Sequence, residues 1–117
     1  MNKLIMGIKG EKAACVFLKK NGYKILKKNY KKTFGEIDII AKKGEDISFV
    51  EVKTRESQEF GLPCEAVTNA KKNRIIKTAK NYIIENSLND NYSFDIIEVY
   101  HSGGKIKKLH HIKNAFF

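Results

Sequence analysis

Acidic residues, cysteine and long hydrophobic runs are all scarce in this sequence. Only 13 Asp and Glu stand against 23 Lys and Arg, a net charge of +10. That imbalance favours polyanionic partners, either nucleic acid or an anionic membrane surface. Charge alone does not separate the two, and solvated lysines give the same sum. The two cysteines, Cys15 and Cys64, lie too far apart for a zinc or redox spacing. They read as reduced thiols of a cytoplasmic protein, one in a helix core and one in a loop. No stretch approaches the ~18 apolar residues of a membrane-crossing helix. Lys9, Glu11 and Lys12 interrupt the apolar start, which would otherwise suggest a signal peptide. A soluble, membrane-independent chain is the expectation. Absent too are a glycine-rich phosphate loop, a Ser-His-Asp constellation and a nicotinamide fingerprint.

What is present suits one domain spanning residues 1–117, long enough to bury about two-thirds of its unfolded surface. Hydrophobic residues make up 42% and aromatics 10%, an ordinary globular composition. Leu4, Ile5, Ile8, Cys15 and Leu18 recur at a helical spacing, and Asn21-Gly22 supplies a stop. Residues 23–30 read as a partly exposed strand. Residues 34–41 and 47–54 form two more around "KKGED", where Gly44 makes the turn. Gly61 and the only proline, Pro63, mark an irregular loop. Thr68 then caps a helix over 69–85, with Ile75, Ile76, Ala79, Tyr82 and Ile83 inward and Lys71, Arg74 and Lys77 outward. Residues 93–100 are a late strand, and Gly103-Gly104 turns into a last one. The order α-β-β-β-α-β-β predicts an α/β domain with a mixed sheet.

Charge sits oddly in the central hairpin. Asp38 interrupts Ile37 and Ile39-Ile40, while Glu51 lies between Val50 and Val52, with Lys53 next. Side chains alternate along a strand, so Glu51 and Lys53 share a face about 7 Å apart, and Ser48, Val50 and Val52 take the other. With a four-residue closure at 43–46, Asp38 lies across from Glu51, whereas a closure one residue longer shifts that register. Two carboxylates on one face repel unless something positive lies between them. Cross-strand ion pairs to lysine are one remedy. A divalent cation, Mg²⁺ or Mn²⁺, is the other, since carboxylate oxygens are its hard ligands. The apolar surroundings favour the cation, because buried charges are paired, metal-bound or functional. Acid, acid, lysine and metal together equip a site for phosphodiester hydrolysis.

The D-x12-E-x-K spacing resembles the PD-(D/E)XK nucleases. More narrowly, "GEKAACVFLKKNGYKIL", "GEIDIIA", "FVEVKTR", the Gly61 loop and "HIKNAF" resemble the YraN family of predicted endonucleases, relatives of archaeal Holliday junction resolvases. The likeness runs nearly end to end. It implies a restriction-endonuclease-like fold, a central mixed β-sheet flanked by helices. It implies that Asp38, Glu51 and the Val52 carbonyl bind the metal, that Lys53 serves the attacking, metal-activated water, and that Glu11 completes the site from the first helix. Glu36, on the strand face of Asp38, is expected one layer further out. Branched or junction DNA is the implied substrate and a two-fold homodimer the implied assembly, although nothing in the residues requires a dimer. Two departures stand out: Ile37 precedes Asp38 where the family has proline, and Ser93 precedes Phe94-Asp95 where many members have arginine.

Arg55, Lys71 and Arg74 are expected to flank the site and hold phosphates. The lysines at 19, 20, 27, 28, 31 and 32 read as a solvated face. Tyr23, Tyr30 and Phe34 read as core aromatics before base-stacking ones. His110 and His111 point to opposite faces of a strand and so do not share an ion. The competing functions are a nucleic-acid-binding module without turnover and a basic protein docking on a membrane or protein partner. The second of these lacks a helix with an aromatic apolar face opposite a lysine-rich one.

Overall fold

The computed structural model describes residues 2–59 and 67–116. Its elements run α1 (Lys3–Lys20), β1 (Lys24–Lys32), β2 (Gly35–Lys43), β3 (Asp46–Glu56), a 3-10 turn (Ser57–Glu59), α2 (Asn69–Glu85), β4 (Asn91–Ser102) and β5 (Lys105–Ile112). The five strands form one mixed sheet in sequential order. Only β3 and β4 are parallel, because α2 carries the chain back between them; the other neighbours are antiparallel. The architecture is α/β and compatible with a restriction-endonuclease-like fold. The Gly61–Pro63 loop and Cys64 lie outside the described residues.

Local chemistry sets the element ends. Asn2 accepts the Ile5 N–H at 2.8 Å to open α1, and Gly22, with φ +88°, closes it. Thr68 accepts the Lys71 N–H at 3.2 Å, capping α2 as expected. Gly44, with φ +62°, turns the hairpin, and Lys43 pairs with Asp46 across it. The four-residue closure is therefore the one adopted.

One core cluster lies between the sheet and α2, with Ile47, Phe49 and Phe94 against Ile75, Ala79 and Tyr82. A second lies on the α1 side, with Val50, Ile97 and Val99 against Ala14, Cys15 and Leu18. The strand alternation expected for β3 is thus observed. Tyr30 belongs to the α2-side cluster and Tyr23 to the α1-side cluster, whereas Phe34 is in neither. Among the described residues no helix is long and apolar enough to cross a membrane.

Helix α1 differs from expectation in its inward face. Leu4, Ile5 and Ile8 are exposed, and Met6, Gly10, Ala14, Cys15 and Leu18 are buried. The cause is a close approach at Gly10. A Cβ there would stand 2.3 Å from Thr54 Cγ2, so the glycine face of the helix is the one that can lie on β3. A second close approach occurs at Gly35, where a Cβ would meet Thr78 Oγ1 at 2.4 Å and the Arg74 carbonyl at 2.9 Å. These two glycines bring α1 and α2 down on opposite sides of the same hairpin.

Candidate active site

The hairpin ladder runs from Lys43–Asp46 to Ile39–Val50 and stops one step short of Asp38 and Glu51. There the backbone partner is replaced by a side chain: the Val52 N–H donates to Asp38 Oδ2 at 2.8 Å. Alternation in β2 also breaks at this point. Ile37 packs in the α2-side cluster and Ile39 in the α1-side cluster, although residues two apart in a regular strand share a face. On β1 the matching irregularity is Asn29, with φ +51°, between the paired positions Lys28–Ile39 and Tyr30–Ile37. Asparagine tolerates that left-handed conformation better than most residues.

Four carboxylates converge on this break. Asp38 feels Glu51, Glu11 and Glu36, and burial together with those charges pushes its carboxyl up to about 7 against the opposing Val52 N–H. Burial also raises the Glu11 carboxyl; a hydrogen bond from Asn29 counters it, and Glu36 and Glu51 add to it. Glu11 thus enters from α1, Glu36 and Asp38 from β2, and Glu51 from β3. Asn29 was missed in the sequence, where the one signal was a left-handed-tolerant residue inside a strand.

An open cleft of about 260 Å³ on the α2 side holds three of the four, Glu36, Asp38 and Glu51, and is lined besides by Gly35, Lys71, Arg74 and Ile75. Lys71 Nζ stands 2.8 Å from Glu51 Oε1. Arg74 lines the same cleft, and no described hydrogen bond or ion pair engages its guanidinium. The close approach at Gly35 places this turn of α2 over the acids. Lys53 follows Glu51 by two on β3 and is half-buried. No described hydrogen bond or ion pair engages its ammonium.

Arg55 is not brought to the cleft. Its Nη1 donates to Glu98 Oε2 at 3.0 Å and to the Tyr100 hydroxyl at 3.4 Å, and its Nε lies 3.6 Å from Glu59. The histidines behave as their strand positions require: His110 Nδ1 lies 3.1 Å from Glu98, and His111 Nε2 lies 2.9 Å from Asp95.

Asp38 and Glu51 line one cleft, and carboxylate oxygens are donors of the kind Mg²⁺ or Mn²⁺ takes. Crowded acids with an elevated carboxyl fit a missing positive charge. Among the described residues, no three His, Cys, Asp or Glu side chains are gathered closely enough to enclose an ion by themselves. A cation here would hold few protein ligands and keep water or phosphate oxygens for the rest, which is the habit of Mg²⁺.

Comparison with known proteins gives one family and many relatives. The profile of a family described as "Uncharacterised protein family UPF0102" matches residues 10–99. A UPF0102 protein of Clostridioides difficile (strain 630) is 50% identical over 117 residues, covering 99% of this chain and 100% of its own. One from Alkaliphilus metalliredigens is 48% identical over 112 residues, covering 95% and 96%. One from Clostridium acetobutylicum is 57% identical over 91 residues, covering 77% and 75%.

Proposed function

The chain belongs to the UPF0102 (YraN) family, and from that premise and its cleft we propose that it is a metal-dependent DNA endonuclease. The observation that carries the reading is the meeting of Glu36, Asp38 and Glu51 beneath two cations of α2, with Glu11 acting on Asp38 from α1 and Asp38 forced up to about 7. Stability alone does not favour such a group, because like charges at short range repel and the single Val52 N–H does not offset burial and the neighbouring acids at Asp38. A polyanion substrate adds more negative charge, so a bridging cation becomes the natural partner.

Asp38, Glu51 and the Val52 carbonyl would hold Mg²⁺ or Mn²⁺. The bound ion would supply Lewis-acid activation and neutralise phosphate charge during hydrolysis. The chain's own residues have separable tasks. The Val52 N–H fixes the orientation of the Asp38 carboxylate. Lys53, two residues beyond Glu51 on β3, would orient the attacking water or stabilise charge on the phosphate. Glu11, steadied by Asn29, holds negative charge on the α1 flank. Arg74 and Lys71 face an incoming phosphate from α2. Branched or junction DNA is the substrate class implied by the resemblance, and a homodimer would set two such sites on opposing strands.

A labelled panel of duplex, single strand, flap and four-way junction, with Mg²⁺, Mn²⁺ or EDTA, tests the reading. Cleavage by the wild type that EDTA, Asp38→Asn and Lys53→Ala each abolish is expected. A second reading, a DNA-binding module without turnover, draws support from the Glu51–Lys71 ion pair, which satisfies a ligand position internally. Salt-sensitive binding with no cutting under any metal would select it and reject the nuclease.

A further inference from the structure

We propose that Lys71 competes with the divalent cation for Glu51, so that binding the cation releases Lys71 to take a phosphate of the substrate. The inference rests on the metal-dependent reading of the cleft. Lys71 Nζ lies 2.8 Å from Glu51 Oε1, a charge-assisted hydrogen bond to one of the two carboxylates that would hold the ion. An ammonium and a divalent cation cannot occupy the same side of one carboxylate oxygen, since their repulsion at that range exceeds what the oxygen offers either. One of them must leave. Lys71 is the one able to do so: its side chain is partly exposed, on a four-carbon stem, in the first turn of α2. Asp38 and Glu51 are fixed by their strands.

The destination of the displaced ammonium is also given by geometry. Arg74 lies three residues further along α2, on the same helix face, and lines the same cleft. Once it leaves Glu51, Lys71 stands beside Arg74, and the pair forms a two-cation rim over the acids. Phosphate is the anion that such a rim takes from a nucleic acid. The two events are thermodynamically linked. Metal binding raises affinity for DNA, and DNA raises affinity for metal by the same factor, because each draws Lys71 or its counter-charge in one direction. Lys71 is thus a positioning residue that couples two ligands rather than a static phosphate contact.

The test is Mn²⁺ binding by the intact chain, read by electron paramagnetic resonance, with anisotropy of a labelled phosphorothioate four-way junction in parallel. Lys71→Ala and Lys71→Met should bind Mn²⁺ about 2- to 5-fold more tightly than wild type, the range that a partly exposed ion pair supports. Lys71→Met keeps the stem, so agreement between the two variants separates lost charge from lost packing. Arg74→Ala should weaken junction binding. Mn²⁺ should strengthen junction binding by the wild type more than by either Lys71 variant. Equal or weaker Mn²⁺ binding by both Lys71 variants overturns the inference. If the wild type then still binds Mn²⁺ and Asp38→Asn does not, the metal-dependent reading survives. Absence of Mn²⁺ binding in wild type and variants alike overturns both.

Discussion

Two sets of acids in this fold are treated in opposite ways. Asp95, on β4, is 1% exposed, more buried than any acid of the cleft. Burial pushes its carboxyl up, yet His111, the Asn114 N–H, Ser93 and Ser48 together outweigh burial and hold it below the usual carboxylate range. Glu98, three residues on, is met by Arg55 and His110. Asp38 is less buried, has one opposing hydrogen bond from Val52, and is pushed up to about 7 with three other acids around it. The difference teaches how to separate architecture from site. A fully partnered buried acid ties strands together; here Asp95 pins β5 and the tail, where Ala115 bonds Phe94 and Phe116 stacks on it at 5.3 Å. An acid left among other acids marks a candidate functional site.

Substitutions in the two sets should therefore diverge. In the cleft, Lys53→Ala and Asp38→Asn should each lower DNA cleavage by roughly 10²- to 10⁴-fold or more, as loss of a proton-transfer or metal-ligating group does. Single-turnover rates on the preferred substrate measure this, and wild-type rates in either variant would end the contrast. In the network, Asp95→Ala leaves a buried histidine and a backbone N–H without their acceptor, and should cost roughly 3–5 kcal/mol in urea unfolding.

On stability, Asp38→Asn has the opposite sign to Asp95→Ala. The Asp38 carboxyl rises from 3.8 to about 7 in the folded chain, so between those values the folded chain holds a proton that the unfolded chain has released. Its contribution is most favourable below pH ~4, declines as pH rises, and is a constant penalty above pH ~7. Asp38→Asn should then stabilise the chain at pH 8 by about 2–4 kcal/mol, with the gain fading toward pH 4. Thermal unfolding of both proteins in EDTA across that range checks it. A destabilised variant at pH 8 would place Asp38 with Asp95 as an architectural acid. Smallest of all, Gly10→Ala should cost about 1–3 kcal/mol by lifting α1 from β3. Removing Thr54 Cγ2 by Thr54→Ser should restore most of that loss.

The sequence disclosed what depends on neighbours along the chain. Asn21-Gly22, Gly44 and Thr68 act within a turn, and the hairpin register follows from the closure at 43–46. That register was enough to bring Asp38 near Glu51. The inward face of α1 was not legible, because it depends on the meeting of Gly10 with Thr54, 44 positions away in the chain. Lys71 as partner of Glu51 was hidden for the same reason: α2 crosses between β3 and β4 before it reaches the hairpin. Arg55 followed the acids in sequence but goes to Glu98, because the parallel register lays β4 beside it. Glu98 carried no motif, and only strand pairing gives it His110.

The central claim is that the cleft is short of one positive charge that a divalent cation supplies. Its most direct test is a carbon-13 NMR titration of the Asp38 carboxyl, assigned with Asp38→Asn, in EDTA and in Mg²⁺. The account predicts a midpoint near 7 in EDTA and a clear fall when Mg²⁺ is added. A midpoint near an ordinary carboxylate, unmoved by Mg²⁺, would contradict it.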